Sequence, residues 1–291
     1  MKTFEFYTIS NIKTVLSKNN LNLQKKFAQN FLVNEKIVDR IIDKLEIDKN
    51  DLVIEIGCGL GGLTNRLIDL AKMVIGFEID YGYVNLLNKI FGSATNFKLI
   101  SGDFLKKSKE IFNAIDKKEF NKIILVGNLP YNITKEIFEI SFTSNLEFDK
   151  WRFMIQKEML DKINAKIDSK KYCYLSIISQ IGKDVEVISH ISKNDFYPSP
   201  NVDSISLLFT KNSKHKIIEK ELFFRLAKSL FLNRRKKLVN NLMLSTLLYE
   251  NEKNILENAI KEINLDISKR GETLKLEDII NLSNKVSLLI S

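Results

Sequence analysis

Cysteine and histidine are nearly missing from this chain of 291 residues, which has two of each. Cys58 and Cys173 are too few for a disulfide framework, and neither stands at metal-ligand spacing from His190 or His215. A disulfide-stapled scaffold and a resident metal centre are therefore not expected, and both thiols read as small buried hydrophobes. Long apolar runs are lacking too. No stretch approaches the roughly eighteen apolar residues that a membrane-spanning helix needs, so no membrane partner is expected. The N-terminus shows no charged-then-apolar leader, and Glu5 together with the scarcity of arginine argues against a transit peptide, which points to a cytoplasmic protein.

Positive charge is plentiful instead. Lys and Arg number 45 against 36 Asp and Glu, a formal charge of +9, which suits a partner with a phosphate backbone and an affinity that falls with salt. The block Arg234, Arg235, Lys236 and Lys237 sits inside the apolar pattern Leu222, Leu226, Leu230, Leu238, Leu242. That pattern predicts a helix carrying the block partly off its apolar face, as a nucleic-acid contact or as a merely solvated charge run. Lys25 and Lys26 form a second candidate contact. With 44% hydrophobic residues the chain can fill one large α/β domain and a smaller one. Residues 1–22 read as a helical lead-in and 23–211 as alternating strands and helices. Late strands at 184–189 and 204–210 would complete a mostly parallel sheet, and 212–291 read as all helical beyond the polar stretch Lys211-Asn212-Ser213-Lys214.

Three constellations carry chemistry. The apolar run 52–54 leads into Glu55-Ile56-Gly57-Cys58-Gly59-Leu60-Gly61-Gly62 and then the helical spacing Leu63, Leu67, Leu70, which reads as strand, glycine turn and helix. Such a turn lets a ligand approach the backbone closely. The glycines also fit a dinucleotide fingerprint, so a nicotinamide enzyme is a rival; Glu55 opposes it, because a carboxylate there repels a pyrophosphate and suits the cationic S-adenosylmethionine. Glu78, ending the strand 73–77, can accept hydrogen bonds from both hydroxyls of a ribose, or stand as a solvated strand-end carboxylate. Asp103, after the strand 97–101, lies at the same carboxyl edge, where it can accept from an adenine amine or cap the helix that begins at Phe104. Finally, Asn128-Leu129-Pro130-Tyr131 follows the apolar run 123–126. Asn128 and the neighbouring carbonyls can accept both hydrogens of an exocyclic amine, Pro130 limits the turn, and Tyr131 offers a stacking ring. Neutral acceptors that pull on the N–H bonds of an aromatic amine localise its lone pair for attack on an electrophilic methyl group. An Asn-Pro turn after a buried strand satisfies the same tetrapeptide in isolation.

These segments occur in a family order. Phe27-Ala28-Gln29-Asn30-Phe31-Leu32, Glu55-Ile56-Gly57-Cys58-Gly59, Phe77-Glu78-Ile79-Asp80, Gly102-Asp103, Gly127 to Thr134, Gln156-Lys157-Glu158 and Phe196 to Ser204 are arranged as in the ribosomal RNA adenine dimethyltransferases. Phe231 to Leu238 and Arg270 to Asp278 further resemble the type acting on the bacterial small subunit. The resemblance runs nearly end to end. It implies a Rossmann-like class I methyltransferase domain with a mostly parallel sheet, plus a small C-terminal all-helical domain. It also implies dimethylation, from S-adenosylmethionine, of two adjacent adenines in the loop of the 3′-terminal hairpin of 16S rRNA.

Carried over residue by residue, Asn30 and Leu32 would help close the donor pocket. Gly57 would face the donor's amino-acid end, flanked by Glu55 and Gly59, while Glu78 would meet the ribose and Asp103 the donor adenine. Asn128 would touch donor and target, with Leu129 and Pro130 beside it, and Tyr131 and Phe196 would hold the flipped base between their rings. The family also implies an immature small subunit as partner and a monomeric enzyme. A large-subunit enzyme of the macrolide-resistance type and a non-catalytic assembly checkpoint are the alternatives. Ala28, Cys58 and Cys173 depart from the usual glycine, proline and glycine of the family, so loop geometry is where variation is expected.

Overall fold

The computed structural model describes residues 6–23 and 29–290. Lys25, Lys26 and Ala28 lie outside the described residues. The chain divides into two compact units, the first comprising residues 1–137, 144–157 and 184–211, the second 138–143, 158–183 and 212–291.

The first unit opens with helix α1 (Ile9–Lys18), whose Thr8 side chain caps the Asn11 N–H and whose Ile12, Val15 and Leu16 are buried. Strand β1 (Phe31–Leu32) follows, then α2 (Glu35–Leu45), β2 (Leu52–Ile56), α3 (Gly62–Leu70), β3 (Met73–Glu78), α4 (Tyr81–Phe91), β4 (Phe97–Ser101), α5 (Phe104–Asn113) and β5 (Ile123–Asn128). Next come α6 (Thr134–Thr143), β6 (Lys150–Gln156), α7 (Met159–Ile163), α8 (Tyr174–Gln180), β7 (Lys183–Ile191), β8 (Phe196–Tyr197) and β9 (Ser204–Lys211). Seven strands form one sheet in the order β4-β3-β2-β5-β6-β9-β7. β4, β3, β2, β5 and β6 run parallel, and β9 returns antiparallel to β6. Every residue of β2 is buried, as are the first five of β5, the composition that a parallel sheet covered on both faces requires.

The strand order places the site. From β2 the chain builds outward through β3 to β4, then returns to the other side of β2 with β5. The crevice beyond the carboxyl ends of β2 and β5 is thus the topological switch point of an open α/β sheet, where ligands bind. A separate ladder pairs β1 antiparallel with β8, setting Leu32 opposite Phe196.

The second unit is helical, with α9 (Lys220–Leu230), α10 (Leu238–Met243), α11 (Glu250–Glu262) and α12 (Leu276–Ile290) joined by α7, α8 and the end of α6. The units change over between Lys211 and Asn212, but the helical unit also takes residues 138–143 and 158–183, which the sequence reading assigns to the sheet domain. Tyr172, Ile177 and Ile181 are buried in one core with Leu222, Phe223, Leu226 and Leu282, so residues 158–183 pack with the C-terminal helices although they precede the last strands.

The basic block is also corrected. It forms a turn between α9 and α10 and does not ride on a continuous helix. Two anchors explain this: the buried Asn241 amide donates to the carbonyls of Leu230 (2.9 Å) and Asn233 (3.0 Å), closing the end of α9, and Leu238 N–H donates to Lys269 O (2.8 Å). Asn241→Leu strands both carbonyls, and we expect a loss of about 1–3 kcal/mol in urea unfolding. An unchanged midpoint would show that the turn holds without that amide.

Candidate active site

One register fixes the site. Ile56 pairs with Phe77 on one side and Gly127 on the other, so the next residues, Gly57, Glu78 and Asn128, stand at one level at the carboxyl edge of the sheet. The cavity above them is lined by Asn30, Leu32, Glu55, Gly57, Gly59, Glu78, Asp103, Asn128 and Pro130, among others. All eight residues expected to meet a donor therefore border a single cavity.

The turn after β2 needs its glycines. Gly57 has φ +73°, and a Cβ built there meets nothing within 4 Å, so this backbone faces open space in a conformation that side chains rarely adopt. Gly59, at φ +56°, directs its N–H to Glu78 Oε2 (2.8 Å). The other carboxylate oxygen, Oε1, accepts from Asp80 N–H (2.8 Å). Burial raises the Glu78 pKa, and backbone N–H groups of Asp80, Gly59 and Ile79 oppose the shift. With three backbone N–H groups on its two oxygens, Glu78 retains a lone pair for a hydroxyl.

Glu55 lies on the floor, where it accepts the Thr64 hydroxyl (2.6 Å), and burial pushes its carboxyl up to about 7. Burial likewise pushes the Cys58 thiol up, so this cysteine is an inert wall residue. Asp103 caps α5, its Oδ1 accepting from Leu105 N–H (2.9 Å), and the residue also lines the cavity.

The 128–131 segment is held from both sides. Leu129 N–H donates to Met154 O (3.0 Å), and the Thr134 hydroxyl donates to Pro130 O (2.9 Å). The Tyr131 hydroxyl lies 2.9 Å from Ser204 Oγ. Phe196 is 5% exposed and packs in a cluster with Leu32, Met154 and Leu208. Among the described residues, Pro130 and Ile133 border the cavity and the rings of Tyr131 and Phe196 do not. Phe196 instead stands across the β1–β8 ladder from Leu32, a cavity wall.

Sequence reading assigned no role to three wall residues. Tyr7 closes the cavity with its hydroxyl on Gly62 O (2.7 Å). Gln29 donates to Asp80 Oδ2 (3.0 Å) and accepts from the Tyr83 hydroxyl (3.2 Å), tying the segment before β1 to the head of α4. Arg152 is 1% exposed, with Nη1 donating to Asn128 Oδ1 (2.8 Å) and Nε to Ser206 Oγ (3.0 Å). Burial pulls its guanidinium down to about 9, with Glu55 opposing. A signal for Arg152 existed, since a charge between Trp151 and Phe153 in a buried strand needs a partner. Nothing comparable marks Tyr7.

In the second unit, the exposed block is divided. Arg234 is engaged within the protein, by the carbonyls of Lys170 and Ser169 and by Glu272, whose carboxylate lies 3.1 Å from Nε. Arg235 and Lys236 are exposed beside it.

A mostly parallel sheet with a glycine turn after β2 and an Asn-Leu-Pro-Tyr segment after β5 defines a Rossmann-like methyltransferase domain. The comparisons narrow the class. Residues 20–284 match the family described as ribosomal RNA adenine dimethylase, and the chain belongs to that family. The ribosomal RNA small subunit methyltransferase A of Borreliella burgdorferi (strain ZS7) is 36% identical over 282 residues, spanning 97% of this chain and 95% of that protein. The protein of the same name from Clostridium botulinum (strain Okra / Type B1) is 36% identical over 276 residues, 94% and 98% of the two chains. Among solved structures, a dimethyladenosine transferase from Plasmodium falciparum superposes with a TM-score of 0.68 at 24% identity, covering 86% of this chain and 94% of that one. The 23S rRNA methyltransferase ErmE superposes at 0.59 with 20% identity, over 88% and 99%, so its likeness is one of fold.

The raised Glu55 pKa has a pH signature. From its ordinary 4.5 up to about 7 the folded state holds the proton more tightly than the unfolded chain. This contribution to stability is complete below 4.5 and is lost as pH rises through 7. Glu55→Gln keeps an acceptor for Thr64 but does not titrate. We expect the melting temperature of the wild type, relative to Glu55→Gln, to fall steadily from pH 4.5 to 8. Parallel curves would contradict the assignment.

Proposed function

We propose that this chain transfers methyl groups from S-adenosylmethionine to the exocyclic amines of two adjacent adenines in the loop of the 3′-terminal hairpin of 16S rRNA. The observation that carries the reading is Asn128 at the mouth of the glycine-turn cavity, in a chain of the rRNA adenine dimethylase family. Curated relatives named as small subunit methyltransferases favour that target over the large-subunit alternative. The intact cavity favours catalysis over a purely scaffolding checkpoint. The partner in this reading is the immature small subunit, met in the cytoplasm by a monomeric enzyme. Arg235 and Lys236 offer exposed charge for its phosphates.

The cavity fits the donor chemically. In this reading Glu78 accepts from the ribose, Asp103 from the adenine amine, and the open backbone at Gly57 admits the amino-acid end near Glu55. When bound, S-adenosylmethionine supplies an electrophilic methyl group on a sulfonium leaving group. Asn128 Oδ1 and the Leu129 carbonyl align the target amine along the line of displacement, so the protein's contribution is positioning and exclusion of water. Pro130 stiffens this turn. Tyr131, at the end of this turn, is the ring assigned to the plane of the extruded base, while Phe196, buried beside Leu32 and Met154, is corrected from a stacking partner to a support of the cavity wall. One N–H survives the first transfer, which leaves a second transfer open, and each released proton passes to water.

Purified protein with tritiated S-adenosylmethionine and unmethylated small subunits, followed by nucleoside mass spectrometry, tests the reading; dimethyladenosine on the small subunit alone is the expected product. Label on protein-free large-subunit rRNA instead would reassign the substrate. We expect Asn128→Ala to lower methyl transfer by about a hundredfold or more with folding intact, the loss typical of a positioned transition-state partner. For Tyr131→Ala we expect weaker use of the target with donor affinity kept, measured by equilibrium dialysis; an equal loss of both would contradict the stacking role.

A further inference from the structure

We propose that Arg152 is a positioning residue for methyl transfer, which fixes from behind the Asn128 side chain which end of that amide meets the target amine. The inference rests on the reading of Asn128 as the group that holds this amine. An asparagine amide has two ends of similar size and opposite hydrogen-bonding character, and only the oxygen can accept from an amine. A turned amide would present N–H donors to the N–H donors of the target. Something must therefore select the orientation before the base arrives.

The geometry makes that selection. Arg152 Nη1 donates to Asn128 Oδ1 at 2.8 Å, and a guanidinium carries donors only, so the amide NH2 cannot take the place of Oδ1 beside it. Oδ1 has two lone pairs, and with one given to Arg152 the other remains for an N–H of the target. The guanidinium is itself braced, because Nε donates to Ser206 Oγ at 3.0 Å and Ser206 is fully buried on β9. Register supports the arrangement: Arg152 pairs with Val126 and Asn128 with Met154, so Arg152 and Asn128 project from the same face of neighbouring strands.

A structural role for the arginine accounts for less. The side chain is among the largest fully buried ones, yet among the described residues Nη2 has no hydrogen-bond partner. Buried arginines kept for stability usually satisfy their donors with carbonyls or carboxylates, whereas an unpaired buried donor is tolerated where a functional geometry holds the group in place. The flanking Trp151 and Phe153 are 5% and 0% exposed, so an apolar residue at position 152 would suit the strand better.

The test is steady-state methylation of unmethylated small subunits by full-length wild type, Arg152→Met, Asn128→Ala and the double variant, with donor affinity from equilibrium dialysis and folding from thermal melts. We expect Arg152→Met to lower kcat by about 10–100-fold while donor affinity and subunit KM stay within about threefold. On the Asn128→Ala background the same substitution should cost less than about threefold, because the group it orients is gone. Multiplying losses in the double variant, a kcat within threefold of wild type, or a parallel loss of donor affinity would each overturn the proposal. Should Arg152→Met fail to fold, Ser206→Ala, which removes only the brace, is expected to lower kcat at least about threefold with the same non-additivity, and an unchanged kcat overturns the proposal. An inactive wild type would overturn the functional reading itself, a result distinct from an active enzyme indifferent to Arg152.

Discussion

The pairing of Ile56 with Phe77 and Gly127 is the constraint on which the rest depends. Because β2, β3 and β5 are buried almost throughout, a one-residue shift of any of them would exchange the side chains packed into its two covered faces. The level at which Gly57, Glu78 and Asn128 emerge is therefore set by apolar packing far below the cavity. Gly127 adds a local condition: a Cβ there would come within 2.8 Å of Leu129 Cδ2 and 3.1 Å of Ile56 Cβ, so the strand next to Asn128 has to be bare. Precision at the site is a consequence of burial in the sheet.

Above that level the protein accepts electrostatic cost. Glu55, Glu78 and Arg152 are 2%, 5% and 1% exposed, and desolvation shifts each toward its neutral form. Their partners are few and specific: a threonine hydroxyl, backbone N–H groups, and an amide with a serine. Groups perturbed by burial and brought together in one cavity are better explained by a ligand they serve than by the stability of the free protein. Glu78 illustrates how the cost is contained, since the same two N–H bonds that keep the carboxylate in place also lock Gly59 and Asp80, and with them the turn and the head of α4.

The sheet and the cavity floor were legible because their signals are local. Apolar runs mark the strands, positive-φ turns call for glycine, and carboxylates at strand ends read directly from spacing. What escaped depended on distant pairs. The Tyr7 wall needs Gly62, 55 residues away, and no periodicity reports such a contact. Residues 158–183 were assigned to the sheet domain because chain order suggested it, while their apolar side chains find a core made by helices beginning at residue 220. The basic block was assigned to a helix because leucine spacing continued through it. Asn241 reaching back to Leu230 and Asn233 breaks the helix there, and a side chain that caps across eight to eleven residues leaves no mark in the pattern.

The distribution of charge also favours one of the two ligands that a glycine turn can serve. A dinucleotide presents its pyrophosphate to the N-terminus of the helix after the first strand, where N–H groups and positive potential are needed. In this chain that region is bordered by two buried carboxylates. Glu55 receives the hydroxyl of Thr64 from within α3, and Glu78 takes the N–H of Gly59. A backbone donor that a phosphate would require is thus already spent on an acid, and a second acid stands beneath it. In the proposed reading, a cationic sulfonium with an ammonium at one end and ribose hydroxyls at the other meets the complementary set, so the burial of Glu55 and Glu78 that costs the free protein stability would serve selectivity.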